Sequence, residues 1–305
     1  MNIDDKIKGV FFGAIVGDAL GVPVEFKSRK YLKTNPVKDM LEFGVHEQPK
    51  GTWSDDSSLI LATIAGLENG YDKFSIIDNF CNWYFNNEFT PHREVFDCGG
   101  QTSDALFYYK MNKKILNQYN DRLNGNGSLM RILPVSLIFR NEDIEKIKDV
   151  NFEISALTHG HIRSQLCCFY FSLIVKYLFS NTIDEAYNLA NTTIKPHIPI
   201  DEKIHFKRIL SGDIGELSEN AMQSSGYVIH SLESSLWCIF NSSSYAEAVL
   251  KAVNLGDDTD TTACITGALA GIMYGYNTIP KTWINSLVKL QELNNYYEIL
   301  SASCI

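Results

Sequence analysis

Apolar residues recur at intervals of three and four positions along most of the chain. Near the start, Ile7, Val10, Phe11, Ala14 and Ile15 follow this spacing, which places them along one face of an α-helix. Later segments repeat the same period, whereas the strict alternation of a β-strand is hard to find. The pattern therefore predicts an all-α protein.

Helix boundaries carry the residues expected of them. Ser244 and Glu247 form a predicted capping box ahead of an apolar run, and Asn69-Gly70 closes a segment that opens near Ser57. No repeat period, low-complexity linker or abrupt change of composition divides the chain. We therefore predict a compact helical bundle that forms one domain over residues 1–305.

Two ladders of glycine at four-residue spacing accompany the helical pattern. Hydrogen in place of a side chain on every fourth residue allows two helix backbones to approach closely, so we expect these faces to pack against other helices. The ladders consist of Gly9, Gly13 and Gly17, and of Gly267, Gly271 and Gly275.

Composition narrows the class of protein and its partners. The chain has 305 residues, of which 45% are hydrophobic, so it can bury a full core. Its formal net charge of -9 argues against a nucleic-acid backbone as the partner, because phosphate binding relies on clustered Lys and Arg. The seven cysteines form no CxxC pair and no regular spacing, which favours a reducing, cytoplasmic location over a disulfide framework.

Membrane insertion is not expected from the sequence. The first residues alternate acidic and basic side chains, unlike a signal peptide. The most lipophilic window, Leu166 to Phe179, is too short to span a bilayer and is interrupted by Ser172 and Lys176. This window is predicted to be a buried core helix.

Two acidic turns stand directly before apolar helical segments. In the first, Gly51 to Ser58, the Asp and Ser residues can be ordinary helix caps. The second, Gly256 to Thr262, places three carboxylates within four residues, which is more than a cap can use. Such carboxylates repel one another unless a cation neutralises them.

The ligand types of these turns indicate which cation fits. Carboxylates and hydroxyls without nearby Cys or His are hard oxygen ligands, which favour Mg²⁺, Mn²⁺ or Ca²⁺. The segment that starts at Asp258 does not match an EF-hand loop, because Ala263 and Leu269 stand where that motif requires glycine and glutamate. We therefore predict that the two turns converge on a two-metal site.

Three further segments carry polar groups whose role the residues alone leave open. Glu25 follows the helix break at Gly21 and Pro23, and is either an exposed loop acid or a functional one. The turn Gly125 to Arg131 can cradle a phosphate or ribose hydroxyls, or be simple turn chemistry. In Thr158 to His161 at least one of two histidines is expected to be structural.

Taken in order, these segments resemble the ADP-ribosylglycohydrolase family, whose bacterial members include the glycohydrolase that reactivates dinitrogenase reductase. Asp97 to Thr102 also resembles the Asp-x-Gly segment of the family. The matching segments run across nearly the whole chain and are Gly13 to Phe26 (GAIVGDALGVPVEF), Gly51 to Ser57 (GTWSDDS), Gly125 to Pro134 (GNGSLMRILP), Thr158 to His161 (THGH) and Gly256 to Thr262 (GDDTDTT).

The resemblance implies an orthogonal helical bundle with a binuclear Mg²⁺ or Mn²⁺ centre at one end of a cleft. It also implies structural roles for Asp18 and Met130. The implied metal ligands are Ser54, Asp55, Asp56, Asp258, Asp260 and Thr261. The implied catalytic residues are Glu25, Asp55, Asp56 and Asp97, of which Glu25 lies on a mobile loop and Asp97 faces the acceptor. The implied ADP-ribose contacts are Asn126, Gly127, Ser128 and His159.

The activity implied is metal-dependent hydrolysis of the glycosidic bond between ADP-ribose and a modified acceptor, such as a protein arginine. Ser54 and Ser57 stand where the family more often has threonine, but a serine hydroxyl can also bind a metal. A non-catalytic ADP-ribose-binding or toxin-immunity protein is an alternative, and so is a purely structural helical protein. Serine, nucleobase and small-molecule conjugates are alternative acceptors. Oligomeric state stays open.

Overall fold

A computed structural model of the protein describes residues 2–117 and 119–304. Met1, Gln118 and Ile305, which the one-domain prediction includes, lie outside these residues. Fourteen α-helices lie in the described part, which contains only two isolated β-bridges and no strand. The all-α prediction is therefore confirmed.

The helices follow one another in this order. They are α1 (Ile3–Gly21), α2 (Arg29–Thr34), α3 (Asp55–Leu67), α4 (Lys73–Asn86), α5 (Gly100–Asn112), α6 (Leu133–Ile138), α7 (Ile144–Ser155), α8 (Ile162–Leu178), α9 (Ile183–Ile194), α10 (Val228–Phe240), α11 (Tyr245–Asn254), α12 (Thr259–Tyr274), α13 (Lys281–Ser286) and α14 (Leu290–Ser303). Single turns of 3₁₀ helix occur between them at Val22–Val24, Gly44–His46, Lys195–His197, Ile200–Glu202, Ile214–Glu216, Glu219–Ala221 and Tyr276–Thr278.

Helices α1 and α12 form the antiparallel centre of the fold. A Cβ atom added to Gly13 would lie 2.3 Å from the carbonyl oxygen of Gly267, and one added to Gly17 would lie 2.1 Å from that of Ala263. Only hydrogen fits at such distances, so the predicted close packing of the ladders is observed. The end of α1 consequently meets the start of α12.

Gly275 does not belong to its predicted ladder. Helix α12 ends at Tyr274, and Gly275 caps it with a φ of 83°, a conformation that glycine adopts without strain. Gly21 instead extends the first ladder, because a Cβ there would lie 2.3 Å from the Cα of Asp260. Four-residue spacing alone cannot distinguish a packing glycine from a terminating one.

The capping box predicted at Ser244 is only half formed. The Ser244 side chain accepts from the backbone of Glu247, but Glu247 accepts from Ser243 rather than from the Ser244 backbone. A complete capping box occurs at Thr182 and Glu185, ahead of α9. Its two residues exchange both hydrogen bonds that define the motif.

Two apolar helices lie inside the core. The predicted core helix around Leu166 to Phe179 is α8, and most of its residues are buried. The segment Ile3–Val24 is long and apolar enough to cross a membrane, but 94% of its most apolar window is buried within the fold. Because this segment packs against α12, its apolar character is explained by its position in the core.

Candidate active site

Three backbone segments meet where α1 ends and α3 and α12 begin. Asp18, near the end of α1, is fully buried and accepts hydrogen bonds from the backbone of Ser54 and Ser57 at 3.0 Å each. Its carboxylate also accepts from the Ser57 hydroxyl at 2.5 Å. Asp18 therefore anchors the first acidic turn to α1, in agreement with the structural role expected for it.

The two predicted acidic turns converge at this junction. Oxygen atoms of Asp18, Asp56 and Asp260 lie within 4.8 Å of one another, as do those of Glu25, Asp258 and Asp260. Burial, together with the negative charges of the neighbouring carboxylates, raises the pKa of Asp56 and Asp260 well above the ordinary value. Charges gathered in this way require a compensating cation or bound protons.

Hydroxyl groups complete the oxygen-rich surroundings of Asp56. The Ser54 hydroxyl donates to Asp56 Oδ2 at 3.1 Å, and the Thr261 hydroxyl donates to the same atom at 3.3 Å. The other carboxylate oxygen, Oδ1, is buried and has no hydrogen-bond partner among the described residues. An orphaned buried carboxylate oxygen within an all-oxygen donor set fits a hard divalent cation.

A cavity of about 380 Å³ opens onto this cluster. Asp55, Asp258 and Thr261 lie on its lining, whereas Asp56 and Asp260 lie more deeply buried. A larger depression of about 620 Å³ elsewhere is lined by residues such as Asn87 and contains none of the predicted site residues. We therefore take the acidic cavity as the candidate active site.

Glu25 is a buried acid, so the exposed-loop interpretation is wrong. Its side chain is hydrogen-bonded to Nε2 of His46. Burial raises the pKa of Glu25 to about 7, against the opposing effect of this hydrogen bond. The hydrogen bond to Glu25 raises the pKa of His46.

Sequence reasoning missed His46, which lies on a short turn. Phe43 and Gly44 both have positive φ in this turn, and a Cβ on Gly44 would collide with the backbone of Pro23. The turn therefore packs directly on the segment that carries Glu25. No motif or spacing in the sequence indicates this contact.

Asp97 lies beside Glu25 and Asp55 on the lining of the cavity. Oxygen or nitrogen atoms of Asp97, Glu25 and His46 lie within 4.8 Å of one another. Burial raises the pKa of Asp97, and burial followed by the charge of Asp97 raises that of Asp55. Phe26 also lines the cavity, and the residue is 68% exposed. One wall of the cavity is therefore both acidic and aromatic.

The glycine-rich turn also lines the cavity. Asn126 Nδ2 donates to Asp258 Oδ2 at 2.8 Å, which ties the turn to the acidic cluster. Gly127 lies directly over His159, because a Cβ there would be 2.8 Å from the Cε1 atom of the imidazole. Asn126, Gly127 and His159 all line the cavity, as does Met130, which was expected to be structural.

Ser128 and His161 have structural contacts instead. The Ser128 hydroxyl is fully buried below the turn, where it accepts from Ser155 at 2.9 Å and from the Cys168 thiol at 3.4 Å. His161 caps α8 by accepting from the backbone of Arg163. Ser128 is not part of the cavity lining, and its predicted contact with ADP-ribose stays a prediction.

Comparison with known proteins identifies the family. The model of the ADP-ribosylglycohydrolase family matches residues 1–304. The chain belongs to this family. Its members hydrolyse ADP-ribosyl linkages, and this ADP-ribosylglycohydrolase is accordingly an enzyme that cleaves the glycosidic bond between ADP-ribose and an acceptor.

Named relatives cover nearly the whole of this ADP-ribosylglycohydrolase. The ADP-ribosylarginine hydrolase Tri1 of Serratia proteamaculans is 32% identical over 97% of the chain and 79% of its own length. The ADP-ribosyl-[dinitrogen reductase] glycohydrolase of Rhodospirillum rubrum is 25% identical over 94% of the chain and 91% of its own length. A solved structure, described as an ADP-ribosylglycohydrolase-related protein complex, superposes with a TM-score of 0.84 at 27% identity, over 99% of each chain.

Proposed function

We propose that this enzyme removes ADP-ribose from modified arginine side chains of proteins. The observation that carries the proposal is the acidic and aromatic wall beside the carboxylate cluster, formed by Glu25, Asp97 and Phe26. A guanidinium is a planar cation that pairs with carboxylates and stacks on aromatic rings. The relative named as an ADP-ribosylarginine hydrolase supports the same acceptor.

The two acidic turns would hold the divalent cations. Their donors are hydroxyl and carboxylate oxygens, which suit Mg²⁺ or Mn²⁺. Such cations supply Lewis-acid chemistry, orienting hydroxyls and acidifying water. The proposed ligands are Ser54, Asp55, Asp56, Asp258, Asp260 and Thr261.

The remaining residues bind substrate and move protons. Cleavage at C1 of the ribose passes through an oxocarbenium-like centre, which negative carboxylates beside it stabilise. Asp55, Asp56 or Glu25 would accept the proton of the attacking water, and Asp97 would face the departing guanidine. Asn126, Gly127, Ser128 and His159 would hold or support ADP-ribose at the glycine-rich turn.

We further propose that the enzyme is a single domain that works in the cytoplasm on ADP-ribosylated proteins rather than on nucleic acids. One buried hydrophobic cluster extends from Ile7 to Cys304, which supports a single domain. All seven cysteines are free, which supports a reducing compartment. The net charge of -9 disfavours a phosphate backbone as partner.

The proposal is tested by release of ADP-ribose from an arginine-modified protein, with Mg²⁺, with Mn²⁺ and with EDTA. We expect metal-dependent release that Asp260→Asn abolishes. Asp257→Asn is a matched control in the same turn, because its side chain is exposed and asparagine tolerates its φ of 58°. Release only from serine, nucleobase or small-molecule conjugates would refute the arginine assignment. Binding of ADP-ribose without any release would favour the non-catalytic alternative.

A further inference from the structure

Arg131 is a buried cation without a carboxylate partner among the described residues. It is fully buried, and its guanidinium carbon lies 4.4 Å from the ring centre of Phe80. Its Nε and Nη1 atoms have no hydrogen-bond partner within the part of the chain that the structure describes. A buried charge left unpaired in this way is costly, so its retention calls for a functional explanation.

The one remaining guanidinium nitrogen begins a directional chain of hydrogen bonds. Arg131 Nη2 donates to the Thr158 hydroxyl oxygen at 2.8 Å and, more weakly, to the carbonyl of Ile154 at 3.3 Å. Because a guanidinium can only donate, the Thr158 oxygen must accept. Its own hydrogen is then available for a different partner.

That partner is Nδ1 of His159, which lies 2.7 Å from the Thr158 hydroxyl oxygen. No other acceptor for this hydroxyl occurs among the described residues. Donation of the hydroxyl hydrogen to His159 requires an unprotonated Nδ1, and in a neutral imidazole the hydrogen is then carried by Nε2. Burial lowers the pKa of His159 to about 3, which keeps the ring neutral at physiological pH.

The Nε2 atom lies on the cavity side of the ring. A Cβ added to Gly125 would be 3.3 Å from Nε2, so this atom lies directly below the glycine-rich turn. Within the described residues, Nε2 makes no hydrogen bond of its own. An N–H group here is positioned to donate to an oxygen of a ligand held by the turn.

We infer that Arg131 and Thr158 are positioning residues that fix the tautomer of His159, so that its Nε2–H donates to an oxygen of bound ADP-ribose. The inference rests on the proposed binding of ADP-ribose in this cavity. It assigns a task to the buried guanidinium, whose Nη2 donates to the Thr158 hydroxyl. Arg131 and Thr158 then act through His159 without touching the ligand.

The tautomer can be measured directly in the unaltered protein. Selective ¹⁵N-histidine labelling distinguishes protonated from unprotonated ring nitrogens by NMR, and His159→Gln identifies the signals of His159. We expect an unprotonated Nδ1 and a protonated Nε2, with the Nε2–H resonance shifting when ADP-ribose is added. A hydrogen on Nδ1 in the wild-type protein would overturn the inference.

Two substitutions at Thr158 separate orientation from packing. Thr158→Val keeps the side-chain shape but removes the hydroxyl, whereas Thr158→Ser keeps the hydroxyl and removes a methyl group. We expect Thr158→Val to mix the tautomers and weaken ADP-ribose binding about tenfold by calorimetry, and Thr158→Ser to stay within about twofold of wild type. Equal losses in both variants, or no loss in either, would contradict the inference.

The outcomes distinguish this inference from the proposed function. Wild-type protein that releases ADP-ribose from arginine but carries the hydrogen on Nδ1 refutes the tautomer assignment alone. Wild-type protein with the expected tautomer that binds ADP-ribose but releases none from modified arginine refutes the proposed function alone. Wild-type protein that neither binds ADP-ribose nor releases it from modified arginine refutes both.

Discussion

Close packing of α1 against α12 should control catalysis as well as stability. In Gly17→Ala the new Cβ would lie 2.1 Å from the Ala263 carbonyl oxygen, about 1.3 Å short of the 3.4 Å at which ordinary van der Waals contact begins. In Gly9→Ala the corresponding contact, with the Gly271 oxygen, is 2.3 Å. The two substitutions thus force the same pair of helices apart by similar amounts.

Their positions along the helix make the two variants a matched pair. Overpacking costs about 1–3 kcal/mol, while replacing a helical glycine by alanine returns about 1 kcal/mol, so each variant should lose up to about 2 kcal/mol of unfolding free energy. Gly17 adjoins Asp18 and the acidic junction, whereas Gly9 lies about 12 Å further along the helix axis. A shift of about 1 Å at the reacting groups reduces turnover about a hundredfold.

We therefore expect Gly17→Ala to lose kcat about a hundredfold and Gly9→Ala to lose it only a few-fold. Urea denaturation measures the stability of both, and release of ADP-ribose from modified arginine at saturating Mg²⁺ or Mn²⁺ measures kcat. Equal losses of kcat would show that only global stability matters. Wild-type turnover in a folded Gly17→Ala variant would show that the helix spacing does not set the site.

Three further predictions concern ligands and pH. Mg²⁺ or Mn²⁺ at about a hundred times its Kd should add about 2.7 kcal/mol to the unfolding free energy, and Asp56→Asn should remove this gain while Asp257→Asn keeps it. Identical thermal unfolding of the wild-type protein with metal and with EDTA would contradict the metal site. Phe26→Ala should raise KM for ADP-ribosylated arginine about tenfold in steady-state kinetics, but leave the Kd of free ADP-ribose unchanged in calorimetry. An equal change in KM and Kd would place Phe26 on the ADP-ribose side instead. Burial raises the pKa of Glu233 to about 7, above its value in the unfolded chain, so the unfolded state ionises first and the unfolding free energy falls as pH rises from about 4.5 to 7. Urea titrations of Glu233→Gln should show this fall reduced by up to about 3 kcal/mol. An unchanged pH dependence in the variant would refute the raised pKa.

The elements that the sequence predicted well are those with local causes. Helical spacing reflects burial of one face, and an acidic turn before an apolar run reflects the start of a helix, so α1, α3 and α12 could be located in advance. The convergence of the turns at Asp56 and Asp260 also followed, because crowded carboxylates need a common cation.

The contacts that the sequence did not reveal depend on distant backbone. His46 reaches Glu25 only because a turn with three positive-φ residues packs against Pro23. In the sequence Arg131 is only the last residue of a polar turn, whereas in the structure its guanidinium is fully buried behind Thr158. Neither placement has a periodic or compositional signature, since each results from tertiary packing.

The antiparallel pairing of α1 with α12 also has a consequence for biosynthesis. Asp18 leaves the ribosome about 240 residues before Asp258 and Asp260. Closing so long a loop is slow, and the nascent chain must keep the glycine face of α1 uncovered until its partner arrives. Hydrolytic activity can therefore arise only in chains in which α1 has met α12, which makes turnover a sensitive reporter of complete folding.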